Sequence, residues 1–442
     1  MRRPWFGIGW AIVLSGALLS ASCVGSGAEG TPSSPTPDPF GSIVVATDEP
    51  IRIGTLLAAN GEAGSAGIDS LRGVEMAIDY LDGTFDGTAG KLFGRDIVLT
   101  NTEDGCTTTS GSSAARALTA APGLVGVIGT TCSVSAAGAA EQLSADGVLL
   151  VSPTNADPAL TDPAVHREFY LRVAVNAALE GRTAADFSAS ELDAATAATI
   201  REGDDATGGP AEVFRTRFRD DDRVVVASEV VDGAASTRRA FARLAGAPPD
   251  VVYLSLEGEA RSCASLAREA ADTQGLEATA VVVSGGCMDA AESAVPGEAV
   301  LGGAYVVAPD LAPRSTDDFY RTEVLPAYRQ QYGSEVPSTA FAYAFDAASI
   351  LLDAVARVAD EGEGDGDLSI GRSALRDAAF GTDAYSGITG VLSCTELGDC
   401  ASEVRMGVYR VPSVPAGPLD PVRPPADPVF TETVTVADLV AP

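Results

Sequence analysis

The chain has 442 residues, with 61 acidic and 29 basic side chains and a formal net charge of −32. Hydrophobic residues make up 46% and charged residues 20%, a globular balance that excludes wholesale disorder and a polytopic membrane protein. The acidic excess excludes binding to a nucleic-acid backbone, which rests on Lys and Arg clusters, and a single histidine, His166, excludes multi-His metal sites.

The first residues read as an export signal. Arg2 and Arg3 precede an apolar run over 6–19, and Ser20-Ala21-Ser22 leads into Cys23. The run is short of the roughly 20 residues that a membrane helix needs. Small residues ending in cysteine resemble a bacterial lipobox, which makes 1–22 a lipoprotein signal peptide and Cys23 the lipidated N-terminus. An ordinary cleaved signal with an incidental cysteine is the other reading. Residues 23–49 begin with a Gly, Ser, Thr and Pro-rich stretch and are expected to form a flexible tether. The expected location is extracytoplasmic, with membrane contact through the N-terminal lipid only.

Six further cysteines remain: Cys106, Cys132, Cys263, Cys287, Cys394 and Cys400. An even set in an exported chain implies disulfides, for which 15 pairings are formally open. Sequence neighbourhood favours Cys106–Cys132, Cys263–Cys287 and Cys394–Cys400. No Cys-x-x-Cys pair supports a zinc site.

From residue 51 strands and helices alternate. A strand at 51–57 is followed by a Gly-rich loop at 60–67, and Leu71, Val74, Ile78 and Leu81 recur at helical spacing. Next come a short strand at 97–99, a small-residue helix at 113–120 and a strand at 124–128. The segment Gly129-Thr130-Thr131-Cys132-Ser133 then opens a helix through Leu143, and a strand follows at 148–151. A second series has strands at 197–200, 224–226, 251–256, 280–283 and 305–307. A long helix over 341–358, an acidic turn at 360–367, a short helix, a hairpin with Cys394 and Cys400 and a strand at 406–411 follow. Residues 412–442 hold many prolines and read as a loosely attached tail. Apolar strands alternating with helices predict parallel sheets covered on both faces, in two successive α/β units.

Several short segments together resemble one family. They are 51–57 (Ile-Arg-Ile-Gly-Thr-Leu-Leu), Arg72-Gly-Val-Glu-Met-Ala-Ile-Asp79, Gly94-Arg95, Asp104-Gly-Cys106, Ile128-Gly129, Cys132-Ser133, and Ser152-Pro153 through Pro158-Ala-Leu-Thr161. In order and spacing they are similar to the leucine/isoleucine/valine-binding proteins, the substrate-binding components of ABC importers. The resemblance implies an α/β type I periplasmic binding protein fold: two Rossmann-like lobes with parallel sheets, joined by a three-strand hinge. It places lobe 1 at 50–175 with 305–385 and lobe 2 at 176–304 with 386–411, and it puts Cys106 and Cys132 where that family carries a disulfide. It further implies a monomer that closes on a small-molecule ligand, an amino acid or amide, and presents it to a membrane permease. No cofactor or metal is expected.

The resemblance also assigns residues. Ser133, beside Cys132, stands where the family binds an α-carboxylate through hydroxyl and amide; a plain capping serine is the other reading. Thr154, Asn155 and Ala156 follow the strand at 148–151. Ala156 falls where the family has a carboxylate-binding threonine, which removes a hydroxyl but keeps the N–H. Thr154 falls where a carbonyl meets the ammonium. In lobe 2 the family's ammonium-pairing acid is missing from Ser284-Gly285-Gly286-Cys287, so Gly286 is a departure. Glu257 stands where the family has an aromatic contact and offers a replacement carboxylate; a solvated glutamate is the alternative. Thr207 takes the place of a ligand-covering tyrosine, and Asn60 is expected to line the first lobe's side of the cleft. An enzyme is not expected: His166 is badly placed, no Gly-x-Ser-x-Gly elbow occurs, and the thiols pair. The alternative function is a ligand-sensing receptor for an amide, urea or amino acid, coupled to a regulatory partner.

Overall fold

The computed structural model describes residues 38–61, 63–203, 209–256, 260–287, 301–311, 318–334, 336, 338–362, 366–411 and 427–439. The expected signal peptide, Cys23, Thr207 and Glu257 lie outside the described residues.

The elements run β1 Ser42–Val45, β2 Ile51–Leu56, α1 Gly64–Asp79, β3 Lys91–Leu92, β4 Arg95–Thr102, α2 Thr108–Thr119, β5 Leu124–Gly129, α3 Ser133–Ala145, β6 Leu149–Ser152 and β7 Tyr170–Arg172. There follow α4 Ala177–Ser190, β8 Thr196–Glu202, α5 Gly209–Phe218, β9 Val224–Val231, α6 Ala234–Ala245, β10 Val251–Ser255, α7 Ala260–Asp272, β11 Ala280–Val283 and β12 Tyr305–Pro309. The last part holds α8 Leu325–Tyr332, α9 Ala340–Val358, β13 Asp360–Glu361, β14 Leu368–Gly371, α10 Arg372–Phe380, β15 Tyr385–Ser386, β16 Val391–Leu392, β17 Glu403–Arg410 and β18 Phe430–Thr435. Among the described residues no helix is long and apolar enough to cross a membrane.

Two sheets form two lobes. The first has the order β3-β4-β2-β5-β6-β7, the second β18-β17-β12-β11-β10-β8-β9. Pairing is parallel except for β3 on β4, β17 on β12 and β18 on β17. Strand periodicity explains why both faces are buried. Leu149 and Val151 on β6 enter one apolar cluster while Leu150 between them enters another, and on β5 the adjacent Ile128 and Val127 part between the same two clusters.

The chain crosses between lobes three times, after β7, after β12 and before β17. Buried carboxylates pin the returns. Asp69 on α1 accepts the Tyr328 hydroxyl at 3.0 Å, the Ser338 hydroxyl at 2.6 Å and the Phe341 N–H at 3.3 Å, which fixes the start of α9. Asp346 on α9 accepts the N–H groups of Ile388 and Thr389 at 2.8 and 2.9 Å, just ahead of the third crossing.

Three expectations change at element boundaries. The stretch 305–309, assigned from sequence to the first lobe, is β12 of the second sheet, so the second crossing falls after Pro309. Residues 42–45, expected in the tether, form β1 and pair antiparallel with β14. Residues 430–435, expected in a loose tail, form β18 and cover the edge of β17 over six paired positions. In each case a partner distant in sequence supplies the ladder that local composition cannot reveal.

Candidate ligand-binding site

Each sheet reverses its direction of strand addition once. In the first lobe β4 lies on one side of β2 and β5 on the other; in the second β9 and β10 flank β8. At such a switch point the loops leaving the two strands part and open a crevice at the carboxyl ends. In the first lobe these loops are 57–61 and 130–133. Gly129 ends β5 at φ +148°, where a Cβ would come within 2.2 Å of the Leu56 carbonyl oxygen, so only glycine lets the two strands end side by side.

The loops are stitched to each other. The Ala58 N–H donates to the Thr131 hydroxyl at 2.9 Å. The Ala59 N–H and the Asn60 side-chain amide donate to one Glu103 carboxylate oxygen at 2.9 and 3.1 Å. Asn60 is thus exposed at the crevice, with its amide held by Glu103.

α3 begins at Ser133 with Cys132 as its extended N-cap, and no side chain caps it. Behind this helix end sits Asp104, fully buried. One of its oxygens accepts the N–H groups of Thr131 and Cys132 at 2.8 and 3.1 Å and the Ser135 hydroxyl at 3.1 Å; the other accepts the Cys106 N–H at 3.1 Å. The Cys106–Cys132 disulfide joins the same two segments. Cys132 therefore belongs to the frame, its sulfur bonded and its N–H turned inward to Asp104. Ser133 is the first residue whose N–H belongs to the open end of the helix, where N–H groups lack intrahelical acceptors and the dipole favours an anion. Its hydroxyl accepts the Asp157 N–H at 3.3 Å and keeps its own proton for donation.

The loop after β6 lies against this end. The Thr154 hydroxyl is shared between the carbonyls of Thr130 and Thr131 at 3.1 and 2.9 Å. Asn155, expected as a ligand contact, is corrected to a buried latch. Its side-chain amide donates to the Thr130 carbonyl at 2.9 Å, its side-chain oxygen accepts the Tyr170 hydroxyl at 3.4 Å, and none of it is exposed. Ala156 is half-buried, and its carbonyl accepts the Ala177 N–H at 2.9 Å, which ties the loop to the start of α4.

Arg172 underlies the loop and was not singled out from sequence. Its guanidinium, wholly buried, pairs with Asp399 at 2.7 Å and donates to the carbonyls of Asn155 and Asp157 at 3.1 and 2.6 Å and to the Thr161 hydroxyl at 2.8 Å. Every arm is spent on protein, so this cation positions the loop and does not meet a ligand.

In the second lobe Gly286 lies in a single turn, Gly285–Cys287, after β11. The Ser284 hydroxyl accepts the Leu256 N–H at 2.9 Å and donates to its carbonyl at 2.8 Å, joining the ends of β10 and β11. The Cys263–Cys287 disulfide ties this turn to α7, and the third disulfide joins Cys394 to Cys400. The Gly285 N–H donates to the Glu180 carboxylate at 2.8 Å. Burial pushes the Glu180 carboxyl up to about 7, with the Gly285 N–H pulling the other way. Sequence reading passed over Glu180, although its helical spacing with Ala184 and Phe187 puts it on the buried stripe of α4.

The three crossovers enclose a cavity of about 220 Å³, lined by Val173, Val175, Asp310, Thr389, Arg405 and the half-buried Tyr343. Tyr343 on α9 packs against the core cluster and also forms one wall of this cavity. His166 is half-buried away from the crevice, its Nε2 3.0 Å from the Tyr170 carbonyl. The structure thus gathers Asn60, Cys132, Ser133, Thr154, Asn155 and Ala156 around one crevice, with Gly286 on the second lobe.

Residues 50–396 match the family model described as periplasmic binding protein. No curated relative matches the chain by sequence. Among solved structures, the leucine-binding protein of Thermotoga maritima is 19% identical with a TM-score of 0.65, over 81% of this chain and 95% of that one. A branched-chain amino acid transporter substrate-binding protein of Streptococcus pneumoniae, in complex with isoleucine, is 17% identical with a TM-score of 0.63, over 88% and 100%. A solute-binding protein of an R. palustris ABC transporter, in complex with benzoate, is 17% identical with a TM-score of 0.65, over 85% and 97%.

Proposed function

The chain belongs to the periplasmic binding protein family, and from that membership we propose that it is the extracytoplasmic substrate-binding lipoprotein of an ABC importer. It captures an amino acid, branched-chain or related, between its lobes, closes about the hinge and delivers it to the permease. The family's members bind solutes, and the location follows from the family. The lipid anchor rests on Cys23 and the composition of 24–42.

One observation carries the ligand reading: the start of α3 at Ser133 opens at the switch point of the first sheet, with a hydroxyl and uncapped N–H groups. Isoleucine and benzoate, bound by the two structural relatives, share a carboxylate, the group that such a helix end accepts. Asp104 fills the inner donors and Arg172 is neutralised by Asp399, so Ser133 is the anchor left to an incoming anion.

A thermal-shift screen of the purified chain, non-reducing, against amino acids, their amides, urea and aromatic acids tests the proposal. A ligand at 100 times its Kd stabilises by about 2.7 kcal/mol. Ser133→Ala is expected to weaken the hit roughly ten- to hundredfold, the worth of a hydrogen bond to a charged group, with unchanged melting of the free protein. Unchanged affinity would move the site away from α3.

A further inference from the structure

Cys394 and Cys400 bracket the short sequence Thr395-Glu-Leu-Gly-Asp399. Their disulfide closes the shortest of the three loops, with a sequence separation of 6 against 26 and 24. A short loop constrains the unfolded chain least, so the role of this bond lies in what its loop holds. The loop runs along β7, the last strand of the first sheet. The Arg172 N–H donates to the Gly398 carbonyl at 2.8 Å, and the Cys400 N–H donates to the Arg172 carbonyl at 2.9 Å. Gly398 has φ +83°, and a Cβ there would lie 2.5 Å from the Tyr170 carbonyl oxygen, so the approach requires glycine. The turn also closes on itself. The Thr395 N–H donates to the Asp399 carbonyl at 2.9 Å, and the Asp399 N–H donates to the Thr395 hydroxyl at 3.1 Å.

This clip turns one charged side chain inward. The Asp399 carboxylate, 3% exposed, meets the wholly buried Arg172 Nε at 2.7 Å. The guanidinium holds the carbonyls of Asn155 and Asp157 through one nitrogen and the Thr161 hydroxyl through another. A trans peptide unit is planar, with its C=O and N–H pointing opposite ways. With the Asn155 carbonyl on the guanidinium, the Ala156 N–H points away from it, and no described residue accepts that N–H. The next N–H, of Asp157, donates to the Ser133 hydroxyl at 3.3 Å. One hydrogen-bonded chain therefore runs from the Cys394–Cys400 clip through Asp399, Arg172 and the 155–157 loop to the start of α3. A buried guanidinium is tolerated only with its counter-ion in place, so whatever holds Asp399 also holds the loop.

We propose that the Cys394–Cys400 clip is a positioning element of the ligand site: by keeping Asp399 on Arg172 it fixes the 155–157 loop against Ser133 and so sets the affinity for a carboxylate ligand. This rests on the crevice at α3 being the solute site. The clip acts through Arg172 and the loop, not on the ligand itself.

Two variants separate the clip from the charge it holds. Cys394→Ser with Cys400→Ser opens the clip and keeps Asp399, whereas Asp399→Asn keeps the clip and removes the charge. Calorimetry under non-reducing conditions compares both with wild type. The probes are L-isoleucine and benzoate or, where neither binds, the compound with the largest shift in the thermal screen. Each variant is expected to bind about tenfold more weakly, the size of one hydrogen bond's net contribution. Opening the clip in the Asp399→Asn background should add no further loss, because the two changes break the same chain of contacts. Hydrogen exchange reads the loop without ligand, and serves also should Asp399→Asn fail to fold. With the clip open, the amides of Asn155 and Asp157 should exchange about tenfold faster while those of β6 stay protected. Unchanged affinity in the open-clip protein, or losses that add in the combined variant, reduces the disulfide to a brace of its own hairpin; either overturns the proposal and leaves the solute-binding reading standing. Unchanged exchange at Asn155 and Asp157 overturns it as well. A wild-type chain that binds neither probe and gives no hit in the screen removes both readings.

Discussion

At the scale of single residues, polar side chains near the crevice divide by whether the protein has already used them. Ser133 and Asn155 are alike in sequence, each a small polar residue shortly after a buried strand. Asn155 is consumed by Thr130 and Tyr170, whereas Ser133 keeps a donor. That difference depends on residues arriving from β5 and β7, so residue type alone could not separate them. Asp104 is the extreme case, buried and accepting four hydrogen bonds around the start of α3. Asp104→Ala is expected to lower stability by about 3 kcal/mol, because it strands buried N–H donors; the midpoint of chemical denaturation checks this. A change under 1 kcal/mol would mean that water replaces the carboxylate.

At the scale of elements, the alternation of strands and helices was legible because each strand is short and apolar and each helix keeps its spacing. The helix expected at 113–120 starts earlier, at Thr108, since Thr107 and Ser110 form a reciprocal cap. The proline content of 412–442 obscured β18. Its Phe430-Thr-Glu-Thr-Val-Thr sequence carries strand-forming residues, and Val434 is buried against the core. Removing residues 427–442 exposes the backbone edge of β17. The expected outcome is a lower melting temperature together with self-association in size-exclusion chromatography. A truncated chain that melts unchanged and elutes as a monomer would reduce β18 to an ornament of the sheet.

At the scale of the whole molecule, Glu180 on α4 reaches the distant Gly285 turn, and its burial links stability to pH. Its folded-state pKa is raised from 4.5 to about 7. Below about 4.5 it is protonated in both folded and unfolded chains, and its full contribution is present. Between there and about 7 only the unfolded chain gives up the proton, so that contribution is lost as pH rises. The loss is on the order of 3 kcal/mol for a shift of this size. Without ligand, Glu180→Gln should therefore be more stable than wild type at pH 8 and close to it near pH 4. Parallel melting curves across that range would show that Glu180 is solvated. The net charge of −32 adds self-repulsion that salt screens, so both proteins belong at one ionic strength.

The architecture was legible along the chain, because alternating apolar strands and helices are buried as covered parallel sheets, and the ordered motifs between residues 51 and 161 carried the family resemblance. The sequence also put Ser133 at the start of a helix, because a serine after a Gly-rich strand end is a local feature, and α3 does begin there. Which polar groups are spent on protein partners was settled by the tertiary structure. Asp399 reaching Arg172, Tyr170 reaching Asn155 and Glu180 reaching Gly285 are contacts across 227, 15 and 105 positions. Hydrogen-bond satisfaction is set by neighbours in space, and neighbours that far apart in sequence leave no periodic trace along the chain.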